Sequence, residues 1–168
     1  MTTPTRDALA AVATLLAPSA PQVTERALAA HDDPEAYLRD HADRLDERGI
    51  DEPFAGLPWI ALVDALTDHG RLAEVDWKEA PDEISGRLLA LRSAPAADEL
   101  WKSLAEIDLP TYEFLETAGK QLLTTGTALA VLDIESDCYP LVLLPATQAD
   151  DLVTLAAKAG FTAAVYGR

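Results

Sequence analysis

The sequence predicts an α+β fold, in which a helical N-terminal two-thirds packs on a small C-terminal sheet of order β-β-α-β. Three observations predict it. As far as about residue 125, apolar residues recur at helical spacing in segments bounded by proline and glycine. Two apolar runs, 127–134 and 138–144, then flank a short polar turn. Finally, a helical period carrying Leu152, Leu155, Ala156 and Ala159 stops at Gly160 and is followed by a last β-like run, 161–166.

Taken in order, Thr5 is positioned to cap a first helix with Leu9, Val12, Ala13 and Leu16 on its apolar face, ended by Pro18 and Pro21. A short second helix is expected from about Val23 to Ala30. Asp33-Pro34 reads as a cap followed by proline at the first helical position. The helix it opens places Leu38, Ala42 and Leu45 on one face, and Gly49-Ile50 has the form of a left-handed terminus with its hydrophobic contact. Leu57-Pro58 opens a helix carrying Trp59, Leu62, Val63 and Leu66, with Gly70 beyond its end. Leu72 to Trp77 reads as a short strand or extended link. Helices follow from Pro81 (Ile84, Leu88, Leu91), after Pro95 (Ala97, Leu100, Trp101, Leu104) and from Pro110 (Phe114, Ala118, Leu122). Glu135-Ser136-Asp137 supplies the hairpin turn. Thr147 and Asp150 resemble a capping box for the last helix. Strands so continuously apolar are covered on both faces, and the upstream helices are the available cover.

Length and composition narrow the classes. At 168 residues, one domain spanning 1–168 is expected, with no division by repeat, low-complexity tract or long linker. A chain of this length buries about two-thirds of its unfolded surface and needs no disulfide or metal staple. Cys138 is the sole cysteine, which fits a reducing compartment. The N-terminus lacks a basic segment followed by an apolar one, and the longest apolar runs fall well short of a membrane span. The expectation is a soluble, cytoplasmic protein.

Charge is the strongest compositional signal. The formal net charge is −16, from 29 acidic and 13 basic residues, and acid outnumbers base throughout the chain. Such a field repels nucleic acid and anionic membrane, and it attracts a basic partner. Its plainer use is solubility. The sequence carries no Gly-rich phosphate loop, no G-x-S-x-G, no H-E-x-x-H and no C-x-x-C, which lowers the case for nucleotide-binding, serine-hydrolase and zinc chemistry.

Two stretches are candidates for a site. In Asp133-Ile134-Glu135-Ser136-Asp137, three carboxylates at alternate positions could share a hard divalent cation such as Mg²⁺ or Ca²⁺. The plainer reading is a polar turn. Asp133 follows an apolar run and is expected to be partly buried, its carboxylate held by the turn's own backbone. In Val75-Asp76-Trp77-Lys78-Glu79, Asp76 and Lys78 would share the outer face of an extended segment while Trp77 anchors in the core. His31, His41 and His69 have no histidine partner at helical spacing, and His69 stands at a helix C-terminus that favours a cation. Cys138, next to Tyr139, has no basic neighbour in sequence to activate it. Trp59 and Trp101 fall on apolar helix faces and read as core.

The D-W-K-E stretch from Asp76 to Glu79, together with Leu132-Asp133, Ser136-Asp137 and Tyr139, resembles an uncharacterised bacterial domain-of-unknown-function family of similar length. The resemblance covers most of the chain. It implies that the two stretches lie near one another in the fold, and it implies no activity. The functional expectation is a non-catalytic acidic binding or regulatory module, immunity-like at the level of size and charge, that meets a basic protein partner. Its binding residues would be Asp76, Trp77, Lys78, Asp133, Ser136, Asp137 and Tyr139, with no cofactor. The competing expectation is a metal-assisted hydrolase using Asp133, Glu135 and Asp137 with a divalent cation. A homo-oligomer pairing through the edge of the small sheet is the third.

Overall fold

The structure, a computed structural model, describes residues 3–168. Among the described residues, nine α-helices and four strands follow in the order α1 (Pro4–Leu16), α2 (Pro21–Asp32), α3 (Pro34–Asp40), α4 (Ala42–Glu47), α5 (Leu57–Asp68), β1 (Ala73–Asp76), α6 (Pro81–Leu89), α7 (Asp98–Ala105), α8 (Thr111–Leu123), β2 (Thr127–Asp133), β3 (Cys138–Pro145), α9 (Ala149–Lys158) and β4 (Thr162–Val165). The fold is α+β, with helices dominating the N-terminal part. Among the described residues, no helix is long and apolar enough to cross a membrane.

Proline sets most of the helix starts. Pro4, Pro21, Pro34, Pro58 and Pro81 each sit in the first turn, where the missing N–H costs nothing and the fixed φ favours the helix. Asp33 caps α3 as expected, its Oδ1 accepting from the Ala36 N–H at 3.1 Å. The first helix is capped two residues earlier than the sequence suggested: Thr3, not Thr5, accepts from the Arg6 N–H at 3.1 Å. The expected single helix after Pro34 breaks at His41, whose ring stacks on Tyr37 at 4.1 Å and donates through Nδ1 to the Tyr37 carbonyl at 3.2 Å. Gly49, at φ +75, ends α4, and Ile50 N–H donates to Leu45 O at 2.9 Å. No capping box forms before α9. Thr147 lies in a 3₁₀ turn (Ala146–Gln148), and the helix starts after it with no side-chain cap.

The sheet is antiparallel throughout, in the order β1-β3-β2-β4. The C-terminal hairpin β2–β3 is its centre. Leu72 to Trp77 resolves as a strand, β1, which adds to the outer side of β3 and makes the sheet wider than the tail alone predicts. Helices cover both faces. Ala128, Ala130, Leu132, Val142 and Leu144 pack with α1, α2, α5 and α9, while Leu129, Leu141, Leu143 and Val75 pack with α6, α7 and α8. This is why the strands are apolar on both sides. Helix α5 is buried from Leu57 to Leu66 and is accordingly apolar almost all round. A smaller cluster of Ala30, Tyr37, Leu45, Leu57, Ile60 and Ala61 ties α2, α3 and α4 to it.

One buried charge lies within this frame. Asp64 of α5 is fully buried and accepts two hydrogen bonds from Arg48, at 2.7 and 3.2 Å. The same guanidinium holds Glu74 of β1 at 2.6 and 3.1 Å. Burial by itself lowers the Arg48 pKa, but the hydrogen bonds to Glu74 and Asp64 outweigh it and raise it above its ordinary value. Arg44 and Arg26 grip Asp68 at 2.8 and 2.6 Å. The chain's scarce cations are thus spent largely on its own carboxylates.

Candidate binding surface at one end of the sheet

The register brings both sequence candidates to the same end of the sheet. Asp76 pairs with Cys138 and Val75 with Tyr139. Asp133 pairs with Thr162. Trp77 N–H then donates to the Asp137 carbonyl at 3.2 Å, joining the loop after β1 to the hairpin turn. The proximity that the resemblance implied is therefore present. Asp76, Asp133, Glu135, Ser136 and Asp137 are all exposed there.

Each side chain is placed by local backbone chemistry. Strand β1 ends at Asp76 because its carboxylate turns the chain: Oδ1 accepts from Lys78 N–H at 3.1 Å. The turn lifts Trp77 out of the strand alternation. Trp77 is 50% exposed rather than anchored in the core, and the Lys78 ammonium lies 4.7 Å from its ring centroid, a cation–π contact. Glu79 faces inward instead, accepting from Arg87 at 2.9 Å and from the Asp76 N–H at 3.1 Å.

The hairpin turn corrects two further expectations. Asp133 is exposed, not partly buried, although its Oδ1 does accept from the turn backbone, at the Glu135 N–H, at 2.7 Å. Glu135 takes φ +57, a left-handed conformation that breaks the alternation on which a shared cation depends. Asp133, Glu135 and Asp137 do not converge, and among the described residues no group of three or more His, Cys, Asp or Glu side chains could hold a metal ion. Ser136 serves the turn, its Oγ accepting from Cys138 N–H at 3.1 Å. Burial first, then Glu74 and Asp76, pushes the Cys138 thiol above its ordinary pKa, the opposite of nucleophile activation.

The cleft beside the turn has no signature in the sequence. It measures about 490 Å³ and lies between the start of α5 and the hairpin, lined by Phe54, Gly56, Trp59, Ile134, Phe161 and Thr162 with Asp133 and Glu135. Trp59 and Phe161 stack within it, centroids 4.8 Å apart and planes 9° apart. Phe54 is half-exposed and lies against Gly56, where a Cβ would stand 2.6 Å from its ring. The aromatic residues could be read from the sequence, but their convergence across more than 100 residues of chain could not.

A family model described as a domain of unknown function (DUF6630) matches residues 8–166. Comparison with curated proteins and with solved structures finds no match.

Proposed function

The chain belongs to the DUF6630 family of unknown function, and from that premise we propose that it is a non-catalytic binding module for a basic protein. The observation that supports this reading is the end of the sheet, where Asp76, Asp133, Glu135 and Asp137 stand exposed around a half-exposed Trp77. Interfaces are enriched in aromatic residues that desolvate on contact, and charge around them sets association rate and partner choice. The cations elsewhere strengthen the asymmetry. Arg6, Arg26, Arg44, Arg48 and Arg87 are held in internal ion pairs, so they do little to neutralise the exposed carboxylates. The proposed site is intracellular and works without a cofactor.

The test is capture of proteins from cell lysate on the immobilised chain at low and at high salt, beside the Asp76→Asn/Asp137→Asn variant. A basic protein held at low salt, released at high salt and lost with the variant is the expected result. Retention indifferent to both salt and substitution would remove this reading.

A further inference from the structure

The aromatic cleft beside the hairpin turn has the chemistry of a guanidinium pocket. Its size is in the range of ligand-binding clefts, which run from about 300 to 1,000 Å³. Two carboxylates, Asp133 and Glu135, stand at its wall, and neither forms an ion pair with any described lysine, arginine or histidine. Among the described residues, none that lines it is basic. Phe54 and Phe161 provide the aromatic surface, with Trp59 stacked on Phe161. Trp59 is 1% exposed, and its indole N–H is buried without a hydrogen-bond partner; as a donor it is not satisfied by a guanidinium, which has no acceptor, so it counts against a cation. The contrast with Trp77 is informative. Where the chain has a cation to offer, Lys78 already lies over the ring, whereas the cleft has aromatic rings and carboxylates and no cation of its own.

A second feature opposes a cation. The N-terminus of α5 opens on the cleft at Gly56, and its dipole is equivalent to about half a positive charge. Two full carboxylates outweigh it.

We infer that the cleft receives an arginine side chain of the basic partner, its guanidinium held by the Asp133 and Glu135 carboxylates against the rings of Phe54 and Phe161. Arginine suits the site better than lysine, because a planar guanidinium both stacks on aromatic faces and meets carboxylates with paired donors. This inference rests on the binding-module reading and names the group that reading leaves open.

The experiment is an NMR titration of the full chain at low salt with acetyl-arginine amide, and with acetyl-citrulline amide as the uncharged analogue. Saturable shifts at the Ile134, Glu135 and Phe161 amides, seen with arginine and absent with citrulline, are expected. Asp133→Asn/Glu135→Gln should weaken binding at least about fivefold. Both replacements keep the turn, since an asparagine side-chain carbonyl can still accept from the residue 135 N–H. Phe54→Ala, at a half-exposed position, should weaken binding too. Equal shifts with citrulline, shifts scattered over the surface without saturation, or unchanged affinity in the carboxylate variant would each overturn the inference. The two readings fail separately. A captured partner that binds the Asp133→Asn/Glu135→Gln variant undiminished leaves the module standing without the pocket. A blank capture removes the module, while the titration still decides whether the cleft takes a guanidinium.

Discussion

Asp32 and Asp64 show how differently one residue type behaves in this chain. Asp32 sits at the surface, where Arg6 reaches it from α1 with two hydrogen bonds, 2.9 and 2.8 Å long. Those bonds, helped by His31, bring its pKa from 3.8 down to about 2. A depressed carboxylate contributes stability that is complete above its unfolded value and is lost as pH falls through about 2. At this exposed site the contribution is small. The titration itself is the measurable outcome: the Asp32 carboxyl carbon should show an NMR midpoint near 2, returning toward 3.8 in Arg6→Gln. An unshifted midpoint in the parent protein would mean that the pair does not persist in solution. Asp64 is the reverse case, wholly buried, with one oxygen held by Arg48 and the other without a partner. Removing Arg48 takes both hydrogen bonds from the buried carboxylate and leaves it only Arg44, 3.5 Å from Oδ1, so Arg48→Met should cost about 3 kcal/mol in denaturant unfolding. Combining it with Asp64→Leu should recover much of that loss, because a buried ion pair replaced by apolar side chains is often neutral. A double variant as unstable as the single one would show that Asp64 stabilises the fold through contacts other than the pair.

At the scale of elements, the tightest junction is where the chain end crosses α8. A Cβ at Gly119 would stand 2.5 Å from the Tyr166 carbonyl oxygen, and one at Gly167 would overlap the backbone of Lys120. Gly167 also holds φ +80 and donates its N–H to Glu116 at 3.1 Å. These contacts lock β4 onto the helix that covers the sheet, so Gly119→Ala should lower stability by at least about 2 kcal/mol even though alanine is the better helix former. A thermal midpoint equal to the parent's would mean that strand and helix separate freely here. The close approach leaves no trace in the local sequence, because a glycine inside a helix reads only as a weak position. What was legible followed local rules. Prolines set helix starts, glycines ended helices, and the polar stretch between two apolar runs made a hairpin, because each of these is decided within a few residues. What was not legible depended on tertiary partners. Leu72 to Trp77 reads as a strand or a link, and only the edge that β3 offers decides for the strand, while Trp77 is exposed because Asp76 turns the chain before the alternation reaches it. Asp76, Trp77, Asp133 and Asp137 were found because polar residues interrupt apolar runs there. The aromatic wall of Trp59 and Phe161 was hidden because both residues, taken singly, look like core.

For the whole molecule, charge is the dominant physical fact, and it opposes folding. A net charge of −16 on 168 residues makes the compact state repel itself, since folding brings carboxylates together that the unfolded chain keeps apart. The internal pairs relieve part of this by placing arginines against Asp32, Asp64, Asp68 and Glu74, but the end of the sheet is left with exposed acid and little to balance it. A surface that is costly to the isolated fold is relieved when a basic partner covers it, which links stability to binding. Salt separates the two contributions. Raising sodium chloride from about 10 mM to about 500 mM shortens the Debye length from about 30 Å to less than 5 Å, which screens repulsion across the surface while leaving the buried Arg48–Asp64 contact nearly untouched. The thermal midpoint of the free chain should therefore rise with salt. The same salt should weaken the proposed complex with a basic protein, because there the screened interaction is attractive. A free-chain midpoint that falls with salt would show that the surface ion pairs, rather than the unbalanced carboxylates, dominate the energetics of the fold.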